Sequence, residues 1–120
     1  MKILVPTAGP VPAKEKADYI GIFAKRIGAE LKVLHILKEG EGSEKGEEAF
    51  NLFSEAGQKA QVNVSKILKK GDMVSAIIKS AEEESAGLII MGASRRKIVA
   101  EWVSADVMKN TAIPVVVIPY

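Results

Sequence analysis

The sequence predicts an α/β fold built on an open, parallel β-sheet. Short apolar runs recur along the chain, and amphipathic segments of about ten residues or more separate most of them. Continuous apolar runs are typical of strands buried on both faces, and parallel strands need a crossover, usually helical, between them. The 120 residues match one domain at the usual ~100–200 residues, so we expect a single domain over residues 1–120.

The first half of the chain predicts two strands and two helices. Residues 3–5 are continuously apolar and predict a buried strand, and residues 31–37 predict a second. Residues 13–28 carry apolar side chains at helical spacing, with charged residues on the opposite side. Residues 40–48 are polar and glycine-rich, which predicts a loop. An apolar stripe then indicates a further helix, formed by Phe50, Leu52, Phe53 and Ala56.

The second half continues the alternation. Residues 61–68 alternate in polarity, which predicts a half-exposed edge strand, and residues 71–72 offer a turn and a helix N-cap. Residues 88–91 predict a central strand, residues 98–110 a helix, and residues 115–118 a last strand. The helix after the N-cap carries its apolar positions in register, at Val74, Ile77, Ile78 and Ala81.

Composition excludes several classes of protein. Hydrophobic residues make up 48% of the chain, which predicts a packed core. The net charge of +2 is too small to require nucleic acid or an anionic membrane as partner. No stretch approaches the ~18 apolar residues of a membrane span, and no secretory signal is expected, because Pro6 and Gly9 interrupt the N-terminal apolar run. With no cysteine either, we expect a cytoplasmic protein.

Chemistry-bearing residues are sparse. The chain has no cysteine and one histidine, His35, in the middle of a predicted strand, so neither a zinc site nor a catalytic triad is predicted. We expect His35 to be a packed or partly exposed strand residue. No catalytic or metal-binding residue is assigned.

Ligands of open parallel sheets bind outside the carboxyl ends of the strands. The loops there begin with Pro6, Thr7 and Ala8 after the first strand, and with Gly92, Ser94 and Arg95 after the strand at 88–91. The end of the second strand, at Leu37, completes the predicted site. A helix start favours an anion at the loop after residues 88–91, because its N–H groups and its dipole point there. The basic run from Arg95 to Lys97 is equally typical of a solvated first helical turn, and both readings stay open.

Three stretches of the sequence resemble the universal stress protein family: "MKILVPTAG", "KKGDMVSAIIKSAEEESAGLIIMGAS" and "VSADVMKNTAIPVVVIPY". The resemblance implies a three-layer α/β/α, Rossmann-like fold of the adenine nucleotide alpha hydrolase-like type, with five parallel strands in the order 3-2-1-4-5. It also implies a homodimer in which the last strand pairs with its copy. That interface would consist of Val115, Val116, Val117 and Ile118.

Some family members bind ATP, and they share the pattern Gly-x-x-Gly, nine residues, then Gly and Ser or Thr. This chain is similar only at Gly92, because Arg95 replaces the second glycine. The final pair falls on Ala105-Asp106 or on Glu101-Trp102, depending on the alignment. The binders also carry an acid where Ala8 stands here. Since side chains block the close approach of phosphate to the main chain, we expect this chain not to bind ATP in the usual way.

The first hypothesis is therefore a non-catalytic stress-response or regulatory homodimer, with an unidentified protein partner and no cofactor. The alternative is a small adenine-nucleotide module that binds ATP or AMP through Pro6, Thr7, Ala8, Gly92, Ser94 and Arg95. A weaker alternative is nucleic-acid binding through the Arg95–Lys97 run and Lys69-Lys70, which the scarcity of aromatic residues (5%) disfavours. No membrane partner is expected.

Overall fold

The computed structural model describes residues 1–7, 14–37, 39–40, 42–92 and 97–118, and of residues 97–102 it describes the main chain only. Strands and helices alternate strictly, which confirms the predicted α/β class. The strands are β1 (Lys2–Thr7), β2 (Glu30–Leu37), β3 (Val64–Lys70), β4 (Leu88–Gly92) and β5 (Val115–Ile118). The helices are α1 (Lys14–Ile27), α2 (Glu44–Ala60), α3 (Met73–Glu83) and α4 (Lys97–Lys109).

The five strands form one sheet in the order β3-β2-β1-β4-β5, and all neighbouring strands are parallel. This confirms the strand order that the family resemblance implied. β1 lies in the middle, which explains why Ile3, Leu4 and Val5 are at most 3% exposed. The register places Thr7 of β1 beside His35 of β2, and His35 in turn beside Leu68 of β3.

Successive side chains of each strand point to opposite faces of the sheet, so two cores form. One core packs under α1 and α2 and includes Ile3, Val5, Val33 and Phe53. The other packs under α3 and α4 and includes Leu4, Leu34, Ile77 and Val107. Each core buries aliphatic side chains in continuous contact, which is the arrangement expected of a sheet covered by helices on both faces.

One predicted boundary is wrong. Residues 40–48 were expected to form a loop, but α2 begins at Glu44. Acidic side chains at Glu44 and Glu47 stabilise the first turn of a helix, because they face the positive end of its dipole. Gly46 also packs against the ring of His35, so this turn is held by the sheet as well as by its own sequence. The glycine-rich pattern of residues 40–48 is typical of a loop, so the sequence did not indicate that the acidic first turn and the packing of Gly46 favour a helix here.

Within the described residues, no helix is long and apolar enough to span a bilayer.

Candidate functional site

The carboxyl ends of all five strands lie at one edge of the sheet, because every pair of neighbours is parallel. This edge is where the sequence placed the candidate ligand site. Pro6, Thr7 and Gly92 are described there. The other candidate residues, Ala8, Ser94 and Arg95, lie outside the described residues, as do Arg96 and the side chain of Lys97.

Thr7 ends β1 with its side chain turned into the protein. The residue is 9% exposed, and its hydroxyl donates to the carbonyl of Leu34 at 3.3 Å and lies 3.0 Å from Nδ1 of His35. Both partners belong to β2, the neighbouring strand. The hydroxyl of Thr7 therefore bonds within the sheet.

A cavity of about 570 Å³ opens at the ends of β2 and β3. Its size falls in the ~300–1,000 Å³ range of small-molecule sites. The walls combine apolar side chains with one acid and one base, and are formed by Ile36, Leu37, Glu39, Gly40, Lys70, Gly71 and Met73. Small-molecule sites typically combine an apolar lining with a few polar groups that fix the orientation of the ligand.

The sequence indicated only part of this cavity. The predicted site lay at the ends of the first, second and fourth strands, so it included the end of β2 at Leu37 but not the end of β3. The turn signal at residues 71–72 was present, and it does mark the place where β3 leaves the sheet at the same edge as β1 and β2.

The N-terminus of α3 borders the cavity but is already occupied by a carboxylate. Asp72 is the N-cap, and its side chain accepts a hydrogen bond from the main-chain N–H of Ser75 at 2.9 Å. This hydrogen bond lowers the pKa of Asp72 below its ordinary value of 3.8. Since a capped helix end carrying a negative charge repels a second anion, a phosphate is not expected at this side of the edge.

The β4 side of the edge is built differently. Gly92 ends β4 and is exposed, and α4 begins at Lys97, so only residues 93–96 connect the two. Both pairs that could stand for the Gly-Ser of the ATP-binding pattern, Ala105-Asp106 and Glu101-Trp102, lie inside α4. Helical main chain has its N–H groups bonded internally beyond the first turn, so neither pair offers bare amides to a phosphate.

The two lysines proposed for nucleic-acid binding, Lys69 and Lys70, have different surroundings. Lys69 bonds Glu83 at 3.4 Å, and Lys70 lines the cavity, so the two lysines do not form a free basic patch. Across the described residues, no three His, Asp or Glu side chains come close enough to hold a metal ion.

A second concave surface, of about 370 Å³, lies between α1 and the last strand. It is almost entirely apolar and is lined by Tyr19, Ile20, Phe23, Ile90, Val116, Val117 and Ile118. Val116 and Val117 belong to the edge strand β5 and are 40% and 41% exposed. These residues include three of the four that the family resemblance assigned to a dimer interface.

Comparison with known proteins now places the chain. The sequence model of the Universal stress protein family matches residues 1–119. The chain belongs to this family. It is 26% identical over 137 aligned positions to universal stress protein MJ0531 of Methanocaldococcus jannaschii, covering 98% of this chain and 81% of that protein.

Solved structures share the fold. A universal stress protein in complex with cAMP superposes with a TM-score of 0.79 at 19% identity, covering 98% of this chain and 95% of that one. A family protein from Arabidopsis thaliana with AMP bound superposes with a TM-score of 0.72 at 18% identity, covering 98% and 90%. Identities this low establish the common architecture of the sheet and its helices.

Proposed function

We propose that this universal stress protein is a non-catalytic regulatory homodimer that binds an adenine nucleotide with a single phosphate, and not ATP. The observation that carries the ligand proposal is the asymmetry of the carboxyl edge. A cavity of about 570 Å³ is present at the ends of β2 and β3, whereas only residues 93–96 connect β4 to α4. The cavity is large enough to cover a base. The connection of residues 93–96 is too short for the glycine pattern that holds a triphosphate in the ATP-binding members of the family.

The distances across the edge suit a mononucleotide. Neighbouring strands lie about 4.8 Å apart, so the end of β4 is roughly 14 Å from the end of β3. A base between Ile36 and Met73 would direct its ribose across the ends of β2 and β1, and its phosphate towards Gly92. Related structures with cAMP and with AMP support this ligand class, because each of these nucleotides joins one phosphate to an adenosine.

Support for a binding role over catalysis comes from His35 and Thr7. His35 is the only histidine in the chain, is 1% exposed and bonds the hydroxyl of Thr7. A general base must reach the proton that it abstracts, and His35 is enclosed within the protein. Thr7, the hydroxyl side chain at the end of β1, is also turned inward.

The dimer proposal rests on the edge strand β5. Among the described residues no strand pairs with its outer edge, and Val116 and Val117 add apolar surface that runs into the groove beside Tyr19. An apolar edge strand left open is a site of uncontrolled association, which proteins avoid by covering it. Pairing β5 with its copy about a two-fold axis covers both edges at once.

Thermal unfolding in the presence of AMP, cAMP and ATP tests the ligand proposal. A ligand at 100-fold over its Kd stabilises the native state by about 2.7 kcal/mol. We expect AMP or cAMP to raise the Tm by several degrees, and ATP at the same concentration to raise it by much less. An equal or larger rise with ATP would contradict the proposal.

A further inference from the structure

The buried contact between Thr7 and His35 joins the carboxyl end of β1 to β2. The hydroxyl of Thr7 lies 3.3 Å from the carbonyl oxygen of Leu34 and 3.0 Å from Nδ1 of His35. Which group donates in the second contact depends on the tautomer of the ring. In either tautomer the hydroxyl is held against β2, and Thr7 is only 9% exposed.

Helix α2 holds the ring from the other side. A Cβ placed on Gly46 would stand 2.9 Å from Cδ2 and 3.0 Å from Cγ of His35, closer than real Cβ contacts come. Only glycine lets the first turn of α2 lie directly on the imidazole. Thr7 and the first turn of α2 therefore both contact the imidazole ring.

The position of this pair connects it to the site. Thr7 is the last residue of β1, and the register places it beside His35. The next two residues of β2, Ile36 and Leu37, line the cavity. The hydrogen bond thus lies one residue below the cavity wall, at the carboxyl end of β1.

We propose that His35 is a positioning residue for the nucleotide site, acting through Thr7. By holding the hydroxyl inward, it fixes the carboxyl end of β1 against β2, one residue below the cavity wall. The inference rests on the proposed function, because it names how the same site is kept in shape. It differs from a direct role for Thr7, in which the hydroxyl would bond the ligand.

The first test measures AMP affinity by calorimetry in His35→Leu, Thr7→Val and the double variant. We expect each single change to weaken AMP binding by about tenfold, similar to the loss of supporting hydrogen bonds around metal ligands. The double variant should lose no more than the weaker-binding single variant, because both changes break one connection. Losses that multiply would overturn the inference, since they would mean that Thr7 contacts the nucleotide independently of His35.

Conservative variants separate positioning from bulk packing. Asn at position 35 can place a donor close to the site of Nδ1, and Ser at position 7 keeps the hydroxyl, so His35→Asn and Thr7→Ser should recover most of the affinity. Phe53→Leu is the matched control, because Phe53 is also 1% exposed and in the core under α1 and α2. It should lower the Tm and leave AMP affinity unchanged, whereas an equal loss of affinity in this control would overturn a specific role for His35.

Nitrogen NMR of the unliganded protein tests the pair without any nucleotide. With ¹⁵N-labelled imidazole, the Nδ1 resonance should shift between wild type and Thr7→Val, because the substitution removes the hydroxyl that contacts Nδ1. An unchanged Nδ1 resonance would overturn the contact from which the inference is argued. Wild-type protein that binds no adenine nucleotide overturns the proposed function and this role with it, whereas wild-type binding with full affinity in His35→Leu overturns this role alone.

Discussion

The two halves of the sheet, β1 to β3 and β4 with β5, differ in the length of strand pairing and in the surfaces that they leave exposed. In the first half, β1, β2 and β3 pair over six and seven consecutive residues, and a cavity opens at their carboxyl ends. In the second half, β4 and β5 are short, pair over four residues and leave an apolar edge exposed. The first half has the features of a ligand site, and the second has those of a surface for another subunit.

The outer strands show the same contrast. β3 alternates partly buried and exposed residues, and its lysines bond acids of neighbouring helices: Lys66 bonds Glu47 at 2.9 Å and Lys69 bonds Glu83 at 3.4 Å. Charged side chains on an edge strand prevent other strands from adding to it. β5 has the sequence Val-Val-Val-Ile, with no charge at all. Lysine side chains therefore lie along one edge of the sheet, whereas the other edge, which we propose pairs with its copy, carries no charge.

The largest effect is expected from giving β5 the character of β3. Val117→Lys would bury an unpaired charge in the proposed interface, which we expect to weaken the dimer by roughly 100-fold or more. Sedimentation velocity over a range of concentrations measures this. Leu68→Lys is the matched control, because Leu68 is exposed to a similar extent, 39%, but on β3. A wild-type monomer at all concentrations, or dissociation caused by Leu68→Lys, would contradict the assignment of the two edges.

The next prediction compares Gly57, which we expect to be required for stability, with Gly92, which we expect to be required for AMP binding. A Cβ on Gly57 would lie 2.8 Å from the carbonyl oxygen of Val62, so Gly57→Ala should cost about 2 kcal/mol of stability where α2 meets β3. At Gly92, no described atom lies within 4 Å of that position. Gly92→Ala should therefore keep its stability and weaken AMP binding, because the methyl group obstructs the approach of phosphate.

Urea denaturation and calorimetric titration of both glycine variants provide the measurements. The expected outcome is a crossed pattern, in which Gly57→Ala loses stability and Gly92→Ala loses affinity. Full AMP affinity in Gly92→Ala would mean that the phosphate does not reach β4.

A smaller effect concerns the cavity wall. Met73→Glu places a negative charge in the cavity, yet an acid in the first turn of α3 suits the helix dipole, so folding should be retained. We expect AMP affinity to fall about tenfold, since the base loses an apolar wall and the phosphate is repelled. Ser75→Glu adds the same charge to the same turn, on an exposed residue outside the cavity lining. Equal losses in both variants would show that the charge acts at long range and not in the cavity.

The smallest effect is the pH dependence of the cap of α3. Folding lowers the pKa of Asp72, so the charged carboxylate stabilises the native state above the unfolded pKa of 3.8 and loses this contribution as the pH falls through the lower folded pKa. Asp72→Asn keeps a cap without a charge. The Tm difference between wild type and Asp72→Asn should therefore be constant above about pH 5 and shrink towards pH 2. A difference that grows as the pH falls would contradict this assignment.

Much of the fold could be predicted from the sequence, because strand burial depends on local patterns. The apolar run Ile3-Leu4-Val5 predicted a strand buried on both faces, and the alternating polarity of residues 61–68 predicted an edge strand. The start of α2 could not be read in this way, since the glycines at 40, 42 and 46 are typical of a loop. Gly46 is in fact helical because it packs on His35, a contact between residues eleven positions apart.

The site was predictable only in outline. Parallel strands fixed the edge, and Thr7 and Gly92 do lie on it. The bond between Thr7 and His35 depends on the register of β1 against β2, and the cavity depends on where β3 ends relative to β2. Neither register leaves a signal in a single sequence, because shifting a strand by two residues preserves its pattern of burial.

The central claim is that the edge retains a place for adenosine and one phosphate but has lost the place for three. Calorimetric titration of the wild-type protein with AMP and with ATP, at equal salt and magnesium, tests it directly. The account predicts that AMP binds at least about tenfold more tightly than ATP, a difference of about 1.4 kcal/mol in binding free energy. ATP binding as tightly as AMP, or more tightly, would contradict it.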